Sequence, residues 1–66
     1  MTDWKELIGK RVLLRHRPLG YVKEVKILEL SPSGRYIRIE WMDVGWDEWR
    51  DIEEFEFNYK LAEVLD

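Results

Sequence analysis

The sequence predicts a small, mostly β domain curled into a barrel, and three observations carry that expectation. Short runs of alternating apolar and polar residues recur along the chain, bounded by Gly, Pro or Ser. One longer apolar run shifts its alternation by a residue midway, the mark of a bulge that bends a strand. Aromatic residues make up 14% of the 66 residues, with four Trp among them, and supply core volume to a chain that has no Cys.

Each element follows from its residues. Thr2 or Asp3 can cap a short turn through Trp4 to Leu7, which Gly9 ends. Arg11 to His16 reads as a strand with Val12 and Leu14 on one face, and Pro18 and Gly20 mark a tight connection. Tyr21 to Leu30 is the long run: Val25 and Ile27 alternate, then Leu28 and Leu30 take the opposite parity. Ser31-Pro32-Ser33-Gly34 is a hairpin turn. Tyr36 to Trp41 follows, with Ile37, Ile39 and Trp41 on one face and Tyr36, Arg38 and Glu40 on the other. Asp43-Val44-Gly45 turns the chain again.

The last third is less legible. Trp46, Trp49 and Ile52 recur every three residues, a helical spacing, yet the preceding hairpin needs a partner for its edge. A short strand is therefore expected over Trp46 to Ile52. Glu53 to Phe57 suits a single helical turn, and Tyr59 to Leu65 fits either a closing strand or a terminal helix. The sum is a single domain over 1–66: a five-stranded SH3-like barrel with short helical turns.

A chain of this length lies near the lower limit for folding without disulfides or metal, so its core must suffice alone. Hydrophobic residues at 45% allow that, each buried ring removing roughly 150–250 Å² from water. No apolar run approaches the length of a membrane span, and no stretch resembles a signal peptide. The reading is intracellular, with no membrane partner and a monomeric state.

Charge is unevenly distributed behind a net −3. Residues 1–26 carry seven basic side chains against three acids, and residues 43–66 carry two against nine. Such halves can attract one another on folding, and an acidic face suits a cationic ligand. The overall balance argues against indiscriminate DNA binding.

Catalysis finds no footing. The chain holds one His, no Cys, and two Ser that both fall in the Ser31–Gly34 turn, so no nucleophile–base constellation assembles. Glu53, Glu54 and Glu56 read as an exposed acidic turn, and a lone His among scattered acids lacks metal-ligand spacing. Neither a metal nor another cofactor is expected, and the chain reads as a binding module.

The aromatic residues are the unusual feature. Tyr21, Tyr36, Trp41, Trp46 and Trp49 fall in or beside the central hairpin, and so small a barrel cannot enclose every ring. Rings converging at a rim can box a methylated ammonium, each cation–π contact contributing about 0.5–2 kcal/mol. Strand geometry brings Tyr21 and Trp41 to one rim and returns Trp46 to it, with Asp43 and Asp47 as rim acids. Two other classes stay open. The rings can stack bases while Arg11, Arg15, Arg17, Arg35 and Arg38 meet the phosphates of RNA or another single-stranded nucleic acid. Alternatively, the barrel docks a protein through an edge strand or aromatic patch, with no ligand pocket.

The stretch Gly9-Lys10-Arg11-Val12-Leu13-Leu14-Arg15-His16-Arg17-Pro18-Leu19-Gly20-Tyr21 resembles the opening of chromo-barrel (Tudor-knot) domains, where the pattern runs G-x-R-V-L-x-x-H-x-P-L-x-Y. Tyr36-Ile37-Arg38-Ile39-Glu40-Trp41 followed by Trp46-Asp47-Glu48-Trp49 is similar to that family's central strand and W-D-E-W signature. These domains occur in mortality-factor-related chromatin proteins and MYST-type acetyltransferases. The resemblance covers residues 9–52 and implies a curled SH3-like sheet that reads methylated lysine in histone tails. It maps the aromatic cage onto Tyr21, Trp41 and Trp46, sets His16 beside it, and makes Trp49 a structural residue packed under the loop. The loop before Trp46 is shorter here and lacks the family's Gly-Trp, so the implied cage is partial. A methylated histone-like tail is then the implied partner, and the nucleus the implied location.

Overall fold

The computed structural model describes residues 2–66, which form an antiparallel sheet of five strands with one short helix in a barrel-like arrangement. A 3-10 turn, Trp4–Leu7, precedes β1 (Arg11–His16), β2 (Val22–Leu30), β3 (Tyr36–Trp41) and β4 (Trp46–Asp51). The helix α1 (Ile52–Asn58) and strand β5 (Tyr59–Val64) complete the chain. The spatial order is β4-β3-β2-β1-β5. The two edge strands are thus consecutive in sequence, and α1 bridges them.

β2 is the spine of the fold. Its first half pairs with β1 and its second half with β3, and the register to β3 slips between Ile27 and Glu29. Leu28 is the extra residue, as the shift in alternation implied. Val25 and Ile27 are fully buried before the slip, and Leu30 packs on the core after it. The bulge turns the strand and lets the sheet curl. A second slip, between Leu13 and Leu14 against β5, bends the other edge inward.

The core is the concave face: Val12 and Leu14 from β1, Val25 and Ile27 from β2, Ile37 and Ile39 from β3. Phe55 of α1, fully buried, plugs the open side, with Trp4 at 5.5 Å and Tyr59 at 5.4 Å between ring centroids. The ends of the chain therefore complete a core that the central strands leave open.

Local chemistry explains the boundaries. Asp51 caps α1, its Oδ1 accepting from the backbone N–H of Glu53 at 2.9 Å and of Glu54 at 3.3 Å. The helix has seven residues rather than the single turn expected over Glu53–Phe57, because this cap recruits Ile52 and Asn58 extends the other end. Asp3 precedes the first turn but makes no side-chain cap, so that part of the expectation is not met. Tyr59–Val64 is a strand, which settles the alternative left open for the tail. Gly45, at φ +76°, takes the left-handed conformation that ends the β3–β4 turn, its N–H donating to Trp41 O at 2.8 Å.

β4 is a strand, not a helix, and its residues alternate across the sheet. Its register sets Trp46, Glu48 and Arg50 opposite Trp41, Ile39 and Ile37, so the row facing the core is largely polar. Charged residues aimed inward on an edge strand discourage pairing with other chains. They also erase the apolar alternation that would have marked the strand. Trp49 lies on the outer face opposite Arg38 and is 49% exposed, which corrects the expectation that it packs under the loop. Two strand residues three apart must point to opposite faces, so Trp46 and Trp49 cannot share one.

The unequal charge of the two halves is met in part by pairing between them. Arg11 meets Asp66 at 2.9 Å and Lys23 meets Asp43 at 2.6 Å, while Arg35, from the middle of the chain, meets Asp51 at 3.4 Å. Such exposed pairs contribute little each.

Candidate functional site

One end of the barrel gathers rings from four strands. Trp41 closes β3 and Trp46 opens β4, directly opposite each other in the ladder. Tyr59 opens β5 opposite His16, the last residue of β1. Tyr21 precedes β2, and its carbonyl accepts from the His16 N–H at 2.8 Å. The pairing of strand ends, rather than any local motif, brings these positions together.

Tyr59 is the hub. Its ring lies 5.7 Å from Trp41 and 5.1 Å from His16, and its hydroxyl is 3.2 Å from that of Tyr21. Burial, reinforced by the hydrogen bond with Tyr21, pushes the Tyr59 phenol up to about 12. Sequence reading missed this residue. The signal was faint: an aromatic at the start of a segment whose secondary structure periodicity did not decide.

A groove of about 230 Å³ opens here, lined by Lys23, Trp41, Asp43, Val44, Trp46 and Tyr59. Trp41, 9% exposed, and Tyr59 form its floor, while Trp46, 62% exposed, stands as a wall. The Trp41 indole is fixed by Glu48, which accepts from Nε1 at 3.0 Å. Glu48 also takes Arg50 at 3.1 Å, and Arg50 reaches Glu54 on α1 at 2.8 Å.

Of the expected cage residues, Trp41 and Trp46 line this groove and Tyr21 stands just outside it. The Tyr21 ring stacks on His16 at 4.5 Å, nearly parallel, and the Lys23 ammonium lies 5.8 Å from its centroid. His16 supports Tyr21 and Tyr59 from behind, and its Nδ1 accepts from the Leu19 N–H at 3.2 Å. It braces the cluster without lining the groove.

The two rim acids part company. Asp43 lines the groove, and the hydrogen bond from Lys23 holds its carboxyl below the ordinary range. Asp47 is not at the rim. It follows Trp46 by one residue, so alternation turns it to the outer face, where Arg38 binds it at 2.6 Å. Lys23, like Tyr59, is a groove residue that sequence reading did not single out.

The outer face carries a second aromatic surface. Tyr36 and Trp49 line a hollow of about 400 Å³ with Glu29, Leu30, Ser31 and Pro32. The arginines do not gather as free phosphate ligands. Arg11, Arg35 and Arg38 are held by carboxylates, and Arg15 and Arg17 donate to the Gly20 and Glu56 carbonyls at 2.9 Å.

Among the described residues no group of His, Cys, Asp and Glu can hold a metal ion, and no charged side chain is buried. No described helix is long and apolar enough to cross a membrane. The arrangement is a barrel-like fold with a partial aromatic cluster at one end. Comparison with family models, curated proteins and solved structures finds no match, so the likeness to chromo-barrels rests on the motif residues alone.

Proposed function

We propose that the groove binds a cationic side chain of a protein or peptide partner, and that methylated lysine is the class it fits. One observation carries this reading: an ammonium already sits among these groups, since Lys23 Nζ is 2.6 Å from Asp43 and faces the Tyr21 ring. A site that holds one ammonium against a carboxylate and a π face has the chemistry for another. Trp41, Trp46 and Tyr59 supply the remaining aromatic surface. The groove is shallow and its cage partial, so the expected Kd lies in the high micromolar to millimolar range, about 4–6 kcal/mol. Nucleic acid is the weaker reading, because the arginines it requires are engaged within the protein.

The test is a titration with trimethyl-lysine peptides, following the indole N–H resonances. Shifts at Trp41 and Trp46, lost in Trp46→Ala and weakened in Tyr21→Ala, are the expected result. Movement of neither indole at millimolar peptide overturns the reading. Shifts at Tyr36 and Trp49 instead would assign binding to the outer face, and binding of single-stranded RNA that weakens steeply with salt would favour nucleic acid.

A further inference from the structure

Lys23 lies on a row where an apolar residue would be expected. It pairs with Leu14 and shares the parity of Val25 and Ile27, all three fully buried. A lysine on that face must carry its charge out of the core, and the barrel end lies within reach of its stem. There the stem lines the groove and the ammonium meets Asp43. Asp43 is the one carboxylate among the lining residues. Glu48, which meets Trp41 from β4, is occupied by the indole N–H and by Arg50.

We propose that Lys23 is a specificity-determining residue: by occupying Asp43, it makes the groove select quaternary over primary ammonium groups. The inference deepens the cation-site reading and rests on it. A primary ammonium carries three N–H donors that must exchange water for protein acceptors. Its natural acceptor in the groove, Asp43, is already taken by a tethered competitor at high effective concentration. Unmodified lysine therefore enters with donors unsatisfied. A trimethylammonium has no donors and needs only ring faces, which Trp41, Trp46 and Tyr59 provide without disturbing the Lys23–Asp43 pair. Selectivity then comes from a missing acceptor as much as from an added attraction.

The experiment compares one short neutral peptide carrying trimethyl-lysine with the same peptide carrying unmodified lysine. Each is titrated against the wild-type protein, Lys23→Met and the Lys23→Met/Asp43→Asn double variant. In the wild type the quaternary peptide binds, and the Lys23 side-chain resonances keep their ring-current shift from Tyr21. In Lys23→Met the freed Asp43 accepts the primary ammonium, and the preference for trimethyl-lysine falls roughly fivefold to tenfold. Adding Asp43→Asn removes that gain. An unchanged preference in Lys23→Met, with binding intact, overturns the role of Lys23 alone. Release of the Lys23 resonances on binding the quaternary peptide overturns it as well. If the quaternary peptide binds none of the three proteins, the groove reading itself fails and this inference falls with it.

Discussion

The indole Nε1 of Trp41 donates to the Glu48 carboxylate at 3.0 Å, a diagonal contact between β3 and β4, two residues along from the Trp41–Trp46 pair. This contact fixes the plane of the ring that floors the groove. It also ties the groove to the helix, because Glu48 holds Arg50 and Arg50 holds Glu54. A polar chain thus runs from the candidate site along the inner row of the edge strand.

Glu48→Ala strands the Trp41 donor where only 9% of the residue reaches water. The expected cost is about 1–2 kcal/mol, since a donor left unpaired loses its hydration without compensation. Urea unfolding measures the loss, and an upfield move of the Trp41 indole N–H locates it. A denaturation midpoint equal to wild type would show that the bond contributes nothing.

Phe55 closes the core from the helix side, and no strand residue substitutes for it. Phe55→Ala should cost about 3–5 kcal/mol, comparable with the whole stability of a domain this small. The variant is expected to be largely unfolded by circular dichroism at ambient temperature. Phe55→Leu, which keeps most of the volume, should fold with a loss near 1 kcal/mol.

The raised Tyr59 phenol links stability to alkaline pH. Its folded value of about 12 exceeds the ordinary value of about 10, so the folded protein binds the proton more tightly. The contribution is complete below pH ~10 and is lost as pH rises through about 12. Tyr59→Phe has no such proton to lose. Denaturation of both proteins across this window should show wild-type stability falling more steeply than that of the variant. Parallel curves would mean that the phenol is not perturbed.

Asp51 starts α1 through the N–H groups of Glu53 and Glu54. Asp51→Ala should lower Tm by about 4–8 °C, and Asp51→Asn, which can still cap, by much less. Acid should act in the same direction. Hydrogen bonding from the Glu54 N–H, with Arg35 adding to it, holds the carboxyl below its ordinary value. The cap is therefore at full strength above that ordinary value and weakens as pH falls through the lowered one. A thermal-melt series in acid, wild type against Asp51→Asn, reads this difference.

The strands were legible where one face is apolar. Ile37, Ile39 and Trp41 announce β3, and the parity change at Leu28 announces the bulge that the register confirms. β4 was ambiguous for a physical reason: its core-facing row is Trp46, Glu48 and Arg50, so hydropathy does not alternate along it. Of the cage expectation, Trp41 and Trp46 share a groove, Tyr21 stands behind Lys23, and Asp47 faces away.

What the sequence alone determined is therefore local: the turns at Ser31–Gly34 and Asp43–Gly45 and the alternating strands. These depend on neighbours two to four residues apart, and one chain displays them directly. The tertiary structure decided which rings meet and which charge accompanies them. Tyr59 joins His16 and Trp41 only through pairing between the first and last strands, and Lys23 reaches Asp43 only because β2 runs beside β3. Register between distant segments is fixed by the whole core, and a slip of one residue would turn each of these side chains to the opposite face.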